Sequence, residues 1–270
     1  MGIAELGKWC LSLNMVRIFA LLILSGCICS GGVDDFDSPI LDPVKWGYLG
    51  SPFSDAFEKG SYDITFKSNT DQLPQFGFIY WKEKISLTSN WSAHVTTNIN
   101  PSFITGDANG NYGNVQTAIG IVDDIATINN QYFNTYLREN FPNNPFQNNF
   151  YFNPNWRTNG NPESEIRVPV TSNRTLLEIN YNAQNQKALS SMYSLDSTGG
   201  TSLLQSHEYD MSQWSNLDGV YIIVGGMSYN TVTASGTATI DNFEMVPEPS
   251  ALSFLAVGLG GLAMMRRRRS

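Results

Sequence analysis

Short runs in which apolar and polar residues alternate follow one another through the middle of the chain. In the segment 91–99, every second residue from Trp91 onward belongs to one face, and the residues between them, including His94, belong to the other. A period of two predicts a β-strand with one face in a core. Further runs of this kind lie at positions 62–66, 76–81, 84–88, 117–122, 165–170, 176–181, 219–224 and 236–245.

Clusters of glycine, asparagine, aspartate and proline separate these runs, such as GDANGNYGN from Gly106 and FPNNPFQNNFYFNPNWRTNGNP from Phe141. Clusters of these residues form turns and loops. Only the segment 123–139 has a spacing that favours a helix. Many short strands separated by turns predict an all-β domain, either a sandwich or a barrel.

The chain is acidic, and its acidity is concentrated in the middle. The 270 residues carry a formal net charge of −8, and the segment from Asp34 to Met245 contains 22 acidic and 10 basic residues. A surface with this charge repels nucleic acid and anionic membranes, so no nucleic-acid partner is expected.

Residues 1–32 are predicted to be a secretory signal peptide. Lys8 and Arg17 precede the apolar run 18–24, and small residues follow from Ser25 onward. This order is typical of a signal peptide, and the run is too short to cross a bilayer. Met15 offers an alternative start, because residues 15–27 form a compact signal by themselves. A buried N-terminal helix is the alternative interpretation.

All three cysteines precede residue 30, so a domain cleaved before Ser30 would contain no disulfide. The letters LSGC at positions 24–27 resemble the lipobox of bacterial lipoproteins. The resemblance implies that Cys27 is lipidated, and one lipid would tether the chain only weakly. Small residues at the exit of a signal peptide explain the same letters, so both interpretations remain open.

The C-terminal segment 246–270 combines a proline-rich turn, an apolar stretch and a basic cluster. Pro247 and Pro249 favour extended backbone around Glu248. Residues 251–265 are uncharged and would form a helix about 22 Å long, somewhat short of the ~30 Å hydrocarbon core. The basic cluster would remain on the cytoplasmic side of the membrane. It consists of Arg266, Arg267, Arg268 and Arg269.

These three parts, in this order, resemble the PEP-CTERM sorting signal of Gram-negative bacteria. In that family the membrane protease exosortase recognises the Pro-Glu-Pro segment and removes the helix and the basic tail. The resemblance implies that Pro247, Glu248 and Pro249 are recognised, and that the arginines stop export. It also implies signal peptidase, an exosortase-type protease and exopolysaccharide or other glycans as partners. A plain single-pass anchor is the alternative.

The order of strands from WSAHVTTNI, which begins at Trp91, to ATIDNFEM, which ends at Met245, resembles concanavalin A-like jelly rolls. For residues 33–245 this resemblance implies an all-β, lectin-like jelly-roll β-sandwich, with a galactose-binding-like jelly roll as the near alternative. The first and last strands are neighbours in such folds. We therefore expect VDDFD from Val33 to lie beside IDNFE from Ile240.

No catalytic site is expected. Glycoside hydrolases of the concanavalin A-like family carry a Glu-x-Asp-x-x-Glu strand, and that order is absent. Glu163 and Glu165 share one side of a strand, but a solvated strand edge explains them better than an acid–base pair. No Gly-x-Ser-x-Gly motif occurs. His94 lies on the polar face of its strand and His207 lies in a polar stretch, so both are expected to face solvent. They do not make a zinc site, because a structural site needs about four ligands.

Calcium is the one cofactor for which the sequence offers ligands. Asp34, Asp35 and Asp37 would meet Asp241 and Glu244 on adjacent strands and present hard oxygen atoms. Structural calcium is therefore predicted as an option at Asp35, Asp37 and Asp241. The loop 107–113 is a weaker alternative, because no acidic residue closes it.

The loop 141–161, rich in asparagine and aromatic residues, is a candidate sugar platform. Tyr151, Phe152 and Trp156 would stack on pyranose faces while asparagine side chains bind hydroxyl groups. The alternative is that these aromatic side chains cover one end of the core.

Three functions follow from these observations. The expected one is a non-enzymatic, exported protein of the cell envelope or extracellular matrix, held transiently in the inner membrane by its C-terminal helix. The alternatives are a glycan-binding, lectin-like module and, with least support, a polysaccharide hydrolase or lyase.

Overall fold

Antiparallel β-strands make up nearly all of the regular structure in the described part of the chain. The computed structural model describes residues 32–38, 40–49, 55–57, 61–65, 75–99, 104–105, 113–140, 149–161, 164–172, 174–229, 233–234 and 237–247. The first ten strands are β1 (Gly32–Asp34), β2 (Trp46–Leu49), β3 (Asp55–Phe57), β4 (Tyr62–Thr65), β5 (Gln75–Trp81), β6 (Trp91–Ile99), β7 (Ile104–Thr105), β8 (Gly113–Val122), β9 (Gln131–Asn140) and β10 (Asn149–Phe152). The others are β11 (Asn155–Arg157), β12 (Ser164–Glu165), β13 (Val168–Val170), β14 (Arg174–Asn182), β15 (Lys187–Leu195), β16 (Thr201–Asp210), β17 (Tyr221–Tyr229), β18 (Thr233–Ala234) and β19 (Thr237–Pro247).

These strands form two large sheets. The eight-stranded sheet has the order β16-β15-β14-β6-β19-β4-β3, and β1 also pairs with β19. The nine-stranded sheet has the order β12-β11-β9-β8-β17-β5-β2, and β10 bridges β9 and β13. A two-stranded ladder joins β7 to β18.

The core lies between the two sheets. Strand β6 buries every second residue, as its alternating sequence predicts, and β14 does the same. The hydroxyl of Thr97 on β6 donates a hydrogen bond to the hydroxyl of Thr117 on β8, at 2.6 Å, which joins the two layers inside the core. The largest fully buried side chains include Trp46, Trp91 and Trp214. The fold is therefore an all-β sandwich, as the sequence predicts.

The first and last strands are neighbours, which confirms the expected contact between VDDFD and IDNFE. Strand β1 pairs antiparallel with β19, with Gly32 opposite Met245 and Asp34 opposite Phe243. After β1 the chain turns at Phe36, whose φ of 53° is rare for a bulky residue. The turn is held because Asp34 Oδ1 accepts a hydrogen bond from the Phe36 N–H at 2.9 Å.

Several predicted elements differ from the structure. Only Ile85 of the segment 84–88 makes a β-bridge. After it the chain turns, and the Thr88 N–H donates a hydrogen bond to the Ser86 hydroxyl at 3.1 Å. The helix considered for 123–139 is wrong. Residues 123–130 form a loop, and the aromatic and β-branched residues that follow it form β9. Strands β15 and β16 were not predicted, because their inward positions include serines and glutamine.

Both predicted export segments lie outside the described residues, except for Gly32, Val246 and the backbone of Pro247. Cys27, Glu248, Pro249 and the arginine cluster are therefore not described, and Pro247 is described only as the last residue of β19. Within the described ranges, no helix is long and apolar enough to cross a membrane.

We expect Phe36→Ala to lower the free energy of unfolding by about 3 kcal/mol. Phe36 is 2% exposed, and its ring packs against Trp46 and Tyr62 at centroid distances of 5.8 and 6.3 Å. Urea denaturation followed by tryptophan fluorescence measures the change. Ile40→Ala is the matched control in the same loop. Ile40 is 71% exposed, so its loss should cost no more than about 0.5 kcal/mol. Equal effects of the two variants would contradict the prediction.

Candidate functional site: the outward face of the nine-stranded sheet

The face of the nine-stranded sheet that points away from the core carries a group of partly exposed aromatic side chains. Phe78 and Tyr80 lie on β5, Phe133 lies on β9, and Tyr221 begins β17. The register places them on one face, because Tyr80 lies opposite Ile223, Ile223 opposite Gly120, and Gly120 opposite Phe133. We call Phe78, Tyr80, Phe133 and Tyr221 the aromatic floor.

Glycines in the neighbouring strands allow these rings to lie against the sheet. A Cβ atom at Gly120 would be 2.4 Å from Cδ1 of Phe133, and one at Gly225 would be 2.6 Å from Cδ1 of Phe78. The two phenyl rings therefore reach across β17 and β8 and meet with their centroids 5.7 Å apart.

Tyr80 repeats this arrangement at the edge of the sheet. A Cβ atom at Gly47 of β2 would be 2.4 Å from Cζ of Tyr80. The rings of Tyr80 and Tyr221 are nearly perpendicular, with their centroids 5.9 Å apart. The Lys84 ammonium group lies 5.3 Å from the centroid of the Tyr221 ring. The floor thus presents ring faces beside the ion pair of Lys84 and Asp218, whose Nζ and Oδ1 atoms are 2.7 Å apart, and the strands beneath the rings carry glycines.

Polar side chains on β8, β9 and β11 continue the same face. Asn155 lies opposite Phe133, and its Nδ2 donates to the Thr135 hydroxyl at 3.1 Å. Thr135 in turn lies opposite Ala118, in the same row of the sheet as Phe78. Both side chains are buried, at 7% and 1% exposure, so their hydrogen bond holds β11 to β9 beside the rings and does not face solvent.

A loop at residues 123–130 borders one end of the face. The Asp123 carboxylate accepts hydrogen bonds from the backbone N–H groups of Asp124 and Asn129, at 2.9 and 3.1 Å, and from Asn130 Nδ2 at 2.7 Å. Asn130 Oδ1 accepts from the Asn159 backbone at 2.9 Å. The loop therefore has a fixed shape, and Asp123 serves to hold it.

An ion-pair network borders the other end. Glu139, at the end of β9, pairs with Arg167, and Arg167 Nε also donates to Glu165 at 2.9 Å. Burial raises the pKa of the Glu139 carboxyl, and the charge of Arg167 opposes this rise. Glu165, the described member of the carboxylate pair noted in the sequence, is therefore tied to an arginine. Glu163 lies outside the described residues.

The three aromatic residues of the predicted sugar platform do not share a surface, and a glycan contact by Tyr151 or Trp156 stays a prediction. Phe152 is 1% exposed and packs in the core, so it cannot contact a ligand from solvent. Tyr151 lies opposite Leu137 and points to the other side of β10 from Phe152. Trp156 lies opposite Tyr132, on the core side of β11. Phe152 and Trp156 therefore point toward the core, and Tyr151 points to the outward face.

Trp156 packs against the opposite sheet. Its ring stacks on His207 of β16 with centroids 5.1 Å apart and an interplanar angle of 12°. Tyr132 stacks on Tyr209 at 4.7 Å, and its hydroxyl lies 3.3 Å from His207 Nδ1. His207 is thus half-buried, contrary to expectation, and burial lowers the pKa of its imidazole. This cluster closes one open side of the sandwich.

The predicted calcium ligands are only partly brought together. Asp34 is used elsewhere, because its Oδ2 accepts a hydrogen bond from Trp46 Nε1 at 2.8 Å. The hydrogen bond with Asp35 raises the pKa of the Asp37 carboxyl. Burial raises the pKa of Asp241, and the charges of Asp35 and Asp37 raise it further. Among the described residues, no group of three or more His, Cys, Asp or Glu side chains is arranged to hold a metal ion. Structural calcium at Asp35, Asp37 and Asp241 stays a prediction.

Comparison with known proteins supports the fold. No known family model matches the chain, and no curated protein matches it. A structure from the human gut microbiota, reported with endo-acting O-glycanases that initiate mucin breakdown, is 13% identical, with a TM-score of 0.52 over 80% of this chain and 98% of that one. A legume lectin-like domain from Entamoeba histolytica is 11% identical, with a TM-score of 0.50 over 78% of this chain and 95% of that one.

A further similar structure is the CBM2 module of an evolved Dit from Lactobacillus casei BL23 phage J-1. It is 8% identical, with a TM-score of 0.50 over 79% of this chain and 93% of that chain. At these identities the likeness establishes the fold alone. The chain has a β-sandwich fold like that of legume lectin-like domains, and its function has to be argued from the site.

We expect Asp241→Asn to raise the melting temperature at neutral pH. The pKa of Asp241 is higher in the folded protein than in the unfolded chain, so the carboxyl contributes stability only while it is protonated. That contribution is lost as the pH rises through the folded pKa. Asparagine removes the charge and keeps an oxygen to accept the Asn242 N–H, which now donates to Asp241 Oδ1 at 2.6 Å.

Differential scanning calorimetry at neutral and acidic pH provides the measurement, and the gain should shrink as the pH falls. A bound calcium ion would reverse the sign, because the variant would lose a ligand. A lower melting temperature for Asp241→Asn, together with a fall on adding EDTA to the unsubstituted chain, would therefore support the calcium site.

Proposed function

We propose that this chain is an exported, lectin-like protein of the bacterial cell envelope that binds a glycan on the aromatic floor. The observation that carries the proposal is the pair of phenyl rings, Phe78 and Phe133, laid over Gly225 and Gly120 with their centroids 5.7 Å apart. Glycines weaken strands, so a sheet that places them beneath partly exposed rings loses stability, and a binding surface gives a reason for that loss.

The chemistry of the face suits a pyranose sugar. One face of a pyranose ring is lined by C–H groups, which pack well on an aromatic ring, while its rim carries hydroxyl groups. Asn155 and Thr135 lie next to Phe133, but they are 7% and 1% exposed and bond to each other, so they support the floor from below and the rings make the contact with the sugar. Lys84, beside Tyr221, is paired with Asp218 at 2.7 Å, so an anionic group on a glycan would have to compete with that carboxylate.

Binding explains the face better than hydrolysis does. Glycosidases place two carboxyl groups roughly 5–10 Å apart across the scissile bond. Asp123 and Glu139 border opposite ends of the face, and the nine residues of β9 from Gln131 to Glu139, eight steps along the strand, span about 26 Å. Both carboxylates are also held by partners, Asp123 by three N–H donors and Glu139 by Arg167. We therefore assign no catalytic residues.

We expect Phe133→Ala to weaken glycan binding about tenfold, because loss of one stacked ring costs about 1.4 kcal/mol. The full-length protein, purified in detergent, is first screened on a glycan array, and the affinity for a hit is then measured by calorimetry. Tyr193→Ala is the matched control. Tyr193 is also partly exposed and aromatic, but it lies in the eight-stranded sheet.

Trp156→Ala separates this proposal from the loop platform predicted from the sequence. If Trp156→Ala abolishes binding and Phe133→Ala does not, the floor is not the site. If no glycan binds, the role is structural, and measurable release of reducing sugar would support a hydrolase instead.

Export and sorting rest on the sequence at the two ends. The signal-peptide layout of residues 1–32, the Pro-Glu-Pro turn, the apolar run 251–265 and the arginine cluster support export, transient anchoring in the inner membrane and release by an exosortase-type protease. A cell-envelope protein that binds exopolysaccharide would need both this sorting signal and a binding surface such as the aromatic floor.

We expect Glu248→Ala to leave the C-terminal tail attached, because Glu248 is the charged residue of the proposed recognition segment. Intact-mass spectrometry of the protein from envelope fractions detects the change, since the unsubstituted chain should have lost its apolar run and arginines. Glu244→Ala is the control four residues upstream, within β19. A full-length product in the cytosol with both ends uncut would overturn the export proposal.

A further inference from the structure

One corner of the sandwich gathers exposed apolar side chains and lysines around the start of β1 and the end of β19. Lys45 Nζ lies 3.3 Å from the backbone oxygen of Val33, and Lys82 Nζ donates to the backbone oxygen of Pro43. Val44 lies between Pro43 and Lys45. Val246 follows Met245, which lies opposite Gly32. We call Val33, Val44, Lys45, Lys82 and Val246 the terminal corner.

The exposure of this region is unusual for the molecule. Eight large apolar side chains are exposed among the described residues, and the three most exposed all lie between positions 33 and 44. They are Val44 at 83%, Ile40 at 71% and Val33 at 63%, and Val246 adds 40%. Single exposed apolar residues are ordinary, but a group gathered at one corner indicates an interaction surface.

The chain connectivity indicates what meets this corner. Because β1 and β19 are antiparallel, Gly32 and Pro247, the first and last described residues, both lie at this corner. Four residues lie between Val246 and Ala251, where the apolar run begins, and the five steps from one Cα atom to the other span at most about 17 Å. The headgroup layer is roughly 5–8 Å thick on each side of the hydrocarbon. A chain anchored by residues 251–265 therefore cannot hold Val246 more than about 10 Å from the headgroups.

We propose that the terminal corner docks on the lipid headgroup surface of the membrane that anchors the chain. The valines enter the upper headgroup region, and Lys45 and Lys82 place their ammonium groups beside the phosphates, as lysines do at the edge of an apolar surface. This inference rests on the proposed anchoring and adds that the folded domain itself contacts the lipid.

The charges near the corner select the lipid. Asp34 Oδ2 lies 3.7 Å from Lys45 Nζ, Asp35 and Asp37 follow the end of β1, and Asp241 lies on β19. This acidic group opposes a strongly anionic surface, in line with the overall negative charge. The corner therefore fits a zwitterionic surface, such as one rich in phosphatidylethanolamine, where apolar burial supplies the attraction.

A fluorescence experiment on the full chain tests the docking. Cys10, Cys27 and Cys29 are replaced by serine, and an environment-sensitive dye is attached to Val44→Cys or, in the control, to Leu203→Cys. Leu203 is 58% exposed, on the edge strand β16, four strands from β19. The protein is added to vesicles of phosphatidylethanolamine and phosphatidylcholine, with and without a lipid that carries a nitroxide quencher on its headgroup.

The proposal expects the nitroxide lipid to quench the dye at position 44 and not at position 203, and Val33→Asp with Val246→Asp to reduce the quenching. If the chain floats with the vesicles but both positions are quenched equally, or neither is, the docking is wrong and the anchoring stands. If the chain does not float with the vesicles, the anchoring fails and the docking fails with it.

Discussion

The register of the nine-stranded sheet decides which side chains build the core and which form the aromatic floor. In β9, Tyr132 and Tyr136 enter the core while Phe133 lies on the outward face. A slip of one residue would exchange these two sets. Core burial of large side chains strongly favours one register, and the position of Phe133 on the floor follows from it. The proposed binding surface therefore depends on the same packing that stabilises the fold.

Glycines in the sheet carry a cost that the core must offset. Gly120 and Gly225 lie in central strands, where glycine is less favourable than alanine by roughly 0.5–1 kcal/mol. Alanine at either position would instead place its Cβ 2.4 or 2.6 Å from a phenyl carbon. At Gly120 the Phe133 ring would have to rise away from the sheet. At Gly225 the Cβ would also lie 2.3 Å from the backbone oxygen of Gly77, so the pairing of β17 with β5 would have to shift as well. The glycines thus lower the stability of the two strands and leave space for the rings on the outward face.

The sequence predicts the sandwich because alternation is strong where one face is buried. The segment 91–99 shows this most clearly, since its pattern of buried and half-buried residues matches its apolar and polar letters. The prediction fails where serine and asparagine occupy inward positions. In β15 the buried residues include Ser190 and Ser191, and in β9 they include Asn134, whose Nδ2 donates to two backbone oxygens of the other sheet. Such polar core residues interrupt the alternation of apolar and polar residues from which strands are predicted.

The candidate site was missed for a related reason. A sequence shows that loop 141–161 is rich in aromatic residues, but not that Trp156 stacks on His207 from a strand about 50 residues later. The sequence does contain one sign of the aromatic floor, namely the glycines within alternating strand segments. It becomes interpretable only when pairing places Gly120 opposite Phe133 and Gly225 opposite Phe78.

Strand β5 links the two surfaces to which we assign functions. Phe78 and Tyr80 belong to the floor, whereas Trp81 points into the core, and a Cβ atom at Gly32 would be 2.8 Å from its ring. The next residue, Lys82, belongs to the terminal corner. Two residues along an extended strand span about 7 Å, so Tyr80 and the corner are close. A glycan bound at the Tyr80 end of the floor would therefore lie near the point where the chain leaves the sandwich. Release of the tail would then free the protein to move away from the membrane together with the bound glycan.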